Sequence, residues 1–373
     1  MSFEPFAMER WQSTWETRVR YNLSESGVHP LSLAELLALV GGTPADLGPV
    51  RLGYADTRGS AALREAIAAL HPGAGPEHVV VTNGSAEANF CACWRLIEPG
   101  DRVAIVLPTY MQTWGLARNF GARLAPIWLR EELGWQPDQA EAAAAIQPGT
   151  TLVIVTNPNN PTGAVLAAGT MAALARRADE VGAWLLVDEV YRGAEREGAP
   201  TPSAWGLGEH VLVTGGLSKA YGLPGLRMGW CVAPPALAEE LWARKDYTTI
   251  GPGALSDALA TRVLQPGVRG RVLERTRAVL RDNWALLERW LGARRPAVAF
   301  RAPDAGAICY ARYPQGIESG SLAERLRRDH DVLVVPGAQF AMGNFLRLGF
   351  GLPAAQLAAA LERVAAALDA LGD

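Results

Sequence analysis

Four short stretches hold residues whose types and spacing could do chemistry. In "GGLSKAYGLPGLRMGW", Gly215 to Trp230, Lys219 and Arg227 stand eight residues apart on one connection rich in glycine. A primary amine is a nucleophile and a base, and a guanidinium holds anions, so one loop offers both. "LLVDEVY" ends an apolar run with Asp188, Glu189 and Tyr191. "TNPNNPTG" places Asn160 just after another apolar run, and "VTNGSAEANF" sets Gly84, Ser85 and Ala86 between an apolar run and a helical one. Backbone N–H groups at a helix start form an anion site, and ligands of open α/β sheets gather at the C-terminal ends of strands. Taken singly, each stretch also has an ordinary reading. A lysine beside a serine is usually solvated, an Asn/Pro run is usually a turn, and an aspartate after a strand can cap a loop.

The segments that must position these residues alternate two periods. Short apolar runs fall at 78–82, 102–108, 123–129, 151–158, 183–191, 210–216 and 227–233, with helical patterns between several of them, such as 85–97 and 169–182. Strands alternating with helices predict an α/β fold with a mostly parallel seven-stranded sheet and helices on both faces. The connection between the last two strands is too short for a parallel crossover. The seventh strand should therefore run antiparallel, with the lysine loop as a tight return. A long charged helix over 268–293 then leads to a smaller α+β unit, with strands in "AVAFRAP", "AICYARY", "DVLVVPG" and "NFLRLGFG". Leu357, Leu361, Val364, Leu368 and Leu371 form one face of a final helix. "MERWQSTWE" puts Met8, Trp11 and Trp15 on one helical face, which reads as a docking surface. The expected division is a large unit, 46–265, and a small one made of 1–45 and 266–373.

Composition bounds the function. The chain has 373 residues, a formal net charge of −3 and no basic excess, which argues against nucleic acid and anionic membrane as partners. No run reaches the length of a membrane span, and "MSFEPFAMER" lacks the basic flank and apolar core of a signal peptide. Cys91, Cys93, Cys231 and Cys309 form no C-x-x-C pair and read as buried free thiols, so a cytoplasmic location is expected. The histidines show no metal-ligand spacing, so no metal is expected.

In order along the chain stand Gly-Ser-Ala before a helix, Tyr110 after a strand, "NPNNPTG", "DEVY" and "SKAYGLPGLRMGW". With these motifs the sequence resembles the fold-type I pyridoxal-phosphate enzymes, specifically the class I/II aminotransferases, from about Asn22 to Gly349. The resemblance implies pyridoxal 5′-phosphate as cofactor and transfer of an amino group between an amino acid and a 2-oxo acid. It makes Lys219 the amine that forms a Schiff base with the cofactor and later moves the proton at Cα. It makes Asp188 the partner of the pyridine nitrogen, and Asn160 and Tyr191 the pair that hydrogen-bonds the ring hydroxyl. Tyr110 would stack on the ring, while Ser85, Ala86 and Arg227 would hold the phosphate. Arg347, in "FLRLGFG", would grip the substrate α-carboxylate, with Gly27 and Asn160 close by. Tyr54, in "LGYADTRGS", matches a tyrosine that reaches the neighbouring subunit's phosphate, which implies a homodimer with shared active sites.

Two departures from the family pattern stand out. The serine commonly found three residues before the lysine is Gly216 here, and restoring it is expected not to weaken cofactor binding. "YNLSESGV" is somewhat similar to members that modify guanidino amino acids, of the capreomycidine-synthase type, and in that likeness Glu25 would read a cationic side chain. A lyase, decarboxylase or cyclase with the same cofactor and the same Lys219 is the alternative activity. A regulatory domain on this fold is disfavoured by charge and by Lys219, Asp188 and Arg347 occurring together. A nicotinamide dehydrogenase is disfavoured because no G-x-G-x-x-G follows the first strand.

Overall fold

The structure is a computed structural model that describes residues 3–295, 297–314 and 316–370. Its large sheet is built from the apolar runs, which are buried on both faces because helices cover both sides. The strand order is Val79–Thr82, Gly229–Val232, Val211–Gly216, Trp184–Asp188, Thr150–Thr156, Arg102–Leu107, Arg123–Arg130 and Gln136–Pro137. Gly229–Val232 runs antiparallel to both of its neighbours, as the short lysine connection requires. The expected seven strands become eight. Glu131–Leu133 and Gly134, at φ 74°, turn the chain so that Gln136–Pro137 pairs antiparallel with Leu129 and Arg130. A two-residue edge strand is too short to leave a periodic signal.

Apart from that edge strand and Gly229–Val232, the other strands run in one direction, and this has a consequence for function. Thr82, Leu107, Thr156, Asp188 and Gly216 all end at the same rim of the sheet.

A second, antiparallel sheet has the order Ala299–Phe300, Ile308–Arg312, Phe345–Gly349, Val335–Pro336. Here the run "DVLVVPG" splits. Val332–Leu333 pairs in parallel with Tyr21–Asn22, while Val335–Pro336 pairs with the strand that carries Arg347. The Val334 carbonyl between them accepts Trp11 Nε1–H at 2.9 Å, which fastens the N-terminal helix Ala7–Trp15 to this bend. Met8 is buried and the Arg327 guanidinium lies 3.7 Å over the Trp15 ring, so the expected docking face is engaged. The long helix runs Pro266–Gly292. The last helix, Ala354–Asp369, buries Leu357, Leu361 and Val364, with Leu368 packed partly buried against the same core; Leu371 lies outside the described residues. All four cysteines are buried free thiols.

Candidate active site

A cavity of about 560 Å³ opens where the parallel strands end, lined by residues from both sheets and the N-terminal helix. Ser85, Ala86, Tyr110, Asn160, Asp188, Tyr191, Lys219, Arg227 and Arg347 all line it. Gly27 sits just behind: a Cβ there would lie 3.5 Å from Lys219 Cδ and 3.4 Å from the Ser218 carbonyl oxygen. Tyr54 is not brought in. It is 92% exposed and lies outside this cavity.

One end of the cavity is an anion cradle. The helix Ser85–Leu96 starts at Gly84 with no side-chain cap, so the first N–H groups, on Ser85 and Ala86, lack a partner among the described residues. Gly84 has φ +88°, and a Cβ on it would run into the Arg227 guanidinium, so only glycine lets the two approach. Arg227 itself is left-handed, φ 48° and ψ 47°, and its Nη1 donates to Ser218 Oγ at 3.3 Å and to the Pro224 carbonyl at 3.0 Å. The turn residues of the lysine loop thus fold Arg227 back onto the helix start.

Gly216 corrects an expectation. It pairs with Gly229 across the two strands, and a Cβ on Gly216 would meet the Met228 carbonyl oxygen at 2.9 Å and Gly229 Cα at 3.3 Å. A serine there is overpacked against backbone, so Gly216→Ser should cost about 1–3 kcal/mol. A lowered melting temperature together with weaker cofactor retention is the expected outcome. Wild-type values for both in the variant would show that the strands separate freely.

Asp188 forms the floor. It is buried, and its two oxygens accept Asn89 Nδ2–H at 2.9 Å and Val190 N–H at 3.0 Å. Asn89 is in turn held by Thr214, whose hydroxyl donates to Asn89 Oδ1 at 2.7 Å. Burial raises the Asp188 pKa against those two hydrogen bonds, so the carboxylate is short of a cation. Glu189 next to it faces away, accepting from Ser203 Oγ and Ala204 N–H, and burial pushes it to about 7. Tyr191 Oη donates to Ser26 Oγ at 2.8 Å.

Lys219 Nζ donates to Glu25 Oε1 at 2.6 Å, which also accepts the N–H groups of Ser26 and Gly27. Lys219 brings the Glu25 pKa down to about 2, chiefly by charge and against burial. Burial opposes the charge on Lys219, but Glu25 and Tyr191 outweigh it and hold the ammonium above its ordinary pKa. The sequence reading gave Glu25 a substrate cation; the geometry gives it an internal one.

Arg347 is 1% exposed, where an alternating strand pattern would equally have allowed solvent. Its Nη1 donates to Asn160 Oδ1 at 2.9 Å, its Nη2 donates to the Ser24 carbonyl, and its Nε has no partner among the described residues. Opposite, the helix Ala7–Trp15 contributes Met8, Glu9 and Gln12, and Glu16 follows it. Tyr110 Oη donates to Glu9 Oε1 at 2.7 Å, and Phe6 meets the Tyr110 ring edge-on at 5.2 Å. Glu9, Gln12 and Glu16 were missed from sequence, as was Asn89. Their only signal was polarity on otherwise apolar helical faces.

The donor set fits pyridoxal 5′-phosphate. Unpaired N–H groups and Arg227 suit its phosphate, and a buried carboxylate lacking a cation suits a protonated ring nitrogen. Comparison with known proteins agrees. The chain matches the family model "Aminotransferase class I and II" over residues 33–364. It is 34% identical to capreomycidine synthase of Streptomyces vinaceus, covering 96% of this chain and 92% of that protein. It is 31% identical to valine–pyruvate aminotransferase of Mycobacterium tuberculosis, covering 84% and 83%. Among solved structures, a PLP-dependent aminotransferase from Streptococcus suis superposes with TM-score 0.93 at 32% identity, covering 100% and 99% of the two chains. The PLP-dependent cyclase OrfR superposes with TM-score 0.89 at 30% identity, covering 99% and 98%. By family match and by extent, the chain belongs to the class I and II aminotransferases, a family of pyridoxal-5′-phosphate enzymes.

Proposed function

We propose that this aminotransferase exchanges amino groups between an amino acid and a 2-oxo acid, with Lys219, Asp188 and Tyr191 as its catalytic residues. The observation that carries the assignment is that Lys219, Asp188 and Arg347 line one cavity. Pyridoxal 5′-phosphate, when bound, supplies the electron sink that makes the substrate Cα–H acidic.

The chain's own residues do the rest. Ser85, Ala86 and Arg227 would hold the phosphate, and Asp188 would keep the ring nitrogen protonated. Asn160 and Tyr191 would bind the ring hydroxyl, and Tyr110 would wall one face of the ring. Arg347 would take the substrate carboxylate through its guanidinium, fixing the orientation of Cα. Lys219 would hold the cofactor until the amino acid arrives, and its Nζ would then move the proton at Cα. Gly27 gives that lysine room.

The exposed Tyr54, together with exposed Leu52, Tyr247 and Ile250, supports a homodimer in which Tyr54 reaches the partner's site. The pairing of Tyr21–Asn22 with Val332–Leu333 supports assigning 1–45 and 266–373 to one unit and 46–265 to the other. No described helix is long and apolar enough to cross a membrane, and the four free thiols support a cytoplasmic location.

The second reading, a lyase, decarboxylase or cyclase, is favoured by the likeness to capreomycidine synthase and OrfR. A half-reaction separates the two. Amino acid alone should convert the cofactor's aldehyde absorbance to that of its amine form and yield a 2-oxo acid. Return of the aldehyde form after turnover would instead favour the second reading.

A further inference from the structure

Three consecutive residues of the N-terminal segment each meet one residue that would do the chemistry. The Ser24 carbonyl accepts Arg347 Nη2–H, Glu25 Oε1 accepts Lys219 Nζ–H at 2.6 Å, and Ser26 Oγ accepts Tyr191 Oη–H at 2.8 Å. The segment is clamped from behind. Gln12 Nε2 donates to the Ser24 carbonyl at 2.8 Å, and Gly349 N–H donates to the Leu23 carbonyl at 2.7 Å. A Cβ on Gly349 would run into the Glu25 carbonyl oxygen, so the Glu25 backbone rests directly on the strand Phe345–Gly349, which carries Arg347.

The Glu25 side chain is fixed too. Its Oε1 also accepts Ser26 N–H at 2.9 Å and Gly27 N–H at 3.2 Å, while its Oε2 has no hydrogen-bond partner among the described residues. Glu25 and Lys219 both line the cavity, so the pair lies where cofactor and substrate would meet. The other charged or titratable groups that face Lys219 are Tyr191, beyond the strand Trp184–Asp188, and Arg347; Glu16 faces both members of the pair, and Glu9, Asp188 and Arg227 line the same cavity. Burial is the largest influence on Lys219 and favours the neutral amine; Glu25 is the largest that opposes it, with Tyr191 next. With Glu25 neutral, burial prevails and the amine falls below its ordinary 10.5.

We infer that Glu25 is a positioning residue for Lys219, holding its amine as an ammonium whenever that amine is not joined to the cofactor. This rests on the reading of Lys219 as the amine that forms the Schiff base. Two consequences have opposite signs. An ammonium has no lone pair, so Nζ must release a proton before it bonds the cofactor's aldehyde carbon, whose oxygen leaves as water. Glu25 therefore slows loading. In turnover the freed Nζ takes the proton at Cα, the C–H electron pair stays with the cofactor, and an ammonium forms again. Glu25 stabilises that charge, so it quickens the proton transfer.

The test is Glu25→Gln. The amide oxygen still serves Lys219, Ser26 and Gly27, and its NH₂ replaces Oε2, which no described donor faces. Cofactor-free protein is mixed with pyridoxal 5′-phosphate over a range of pH, and loading is followed by the Schiff-base absorbance. The variant should load faster than wild type at neutral pH, by about tenfold for each unit by which the amine's pKa falls, and its rate should level off at a lower pH. The amine-forming half-reaction, run with whichever common amino acid converts the wild type fastest, should instead be slower by about tenfold or more, with a larger deuterium isotope effect at Cα. Glu25→Asp keeps the charge one methylene back and should lie nearer the wild type than the glutamine variant on both readouts; the reverse order overturns the inference. So does a loading profile that is not shifted to lower pH, or a half-reaction that is not slowed, while the aminotransferase reading survives. A merely structural contact would slow both steps. Wild-type protein that forms no Schiff base overturns both readings. Wild type that loads yet converts with no amino acid overturns the aminotransferase reading, and the loading profile still decides Glu25.

Discussion

Lys219→Ala should lower turnover by at least about 10⁴-fold, the upper end for loss of a positioned proton-transfer group. The same residue would provide the amine that tethers the cofactor, so the loss includes retention as well as rate. Lys219→Arg separates charge from chemistry. It still offers Glu25 a cation, but a guanidinium cannot be deprotonated near neutral pH, so it should be as inactive as alanine. Borohydride reduction of the wild-type holoenzyme followed by digestion should place a pyridoxyl adduct on the peptide containing Lys219, and neither variant should yield one. Turnover within about tenfold of wild type in either variant would remove Lys219 from the mechanism.

A second readout follows from Glu25. In the native protein its pKa is lowered from the ordinary 4.5 to about 2, mainly by Lys219. A depressed carboxylate pKa stabilises the fold above the unfolded-state value, and that contribution is lost as pH falls through the folded value. The stability gap between wild type and Lys219→Ala, measured on cofactor-free protein, should therefore be widest near neutral pH and close between pH 4.5 and about 2. A gap independent of pH would mean that the Glu25–Lys219 pair contributes nothing to folding.

Asp188→Asn should cut turnover by about 10²-fold or more, the scale for losing one preorganised electrostatic group. The reason is local. Two donors, Asn89 Nδ2–H and Val190 N–H, aim at the two carboxylate oxygens. An amide offers one oxygen, so one donor is left facing an NH₂, at about 1–3 kcal/mol. Against this, removing the charge relieves the burial that raises the Asp188 pKa. The two effects oppose, so the cofactor-free variant should melt close to wild type while turnover collapses. A variant that keeps wild-type turnover would show that the ring nitrogen needs no acid. A variant that loses stability and turnover in step would make Asp188 a structural residue.

Parts of this site were legible because they are local. "NPNNPTG", "DEVY" and the lysine loop each follow an apolar strand in sequence, so chain order alone puts their polar residues at strand ends. The antiparallel seventh strand followed from the length of one connection. The edge strand Gln136–Pro137 and the split at Val334 did not, since both depend on pairing with distant segments.

The sequence by itself determined the order of chemistry-bearing residues, the strand and helix periods, and the chemistry that an amine, a guanidinium and an acid can do together. Tertiary structure alone decided which of them meet. Glu25 and Lys219 are 194 residues apart, and Ser24 and Arg347 are 323 apart, yet each pair is in contact. The same holds for Asn89 under Asp188 and for Glu9 against Tyr110. Periodicity reports which face of an element avoids water; it carries no information on which distant side chain will share that face. The placement of the helix Ala7–Trp15 and the counter-ion of the lysine belong to that second class.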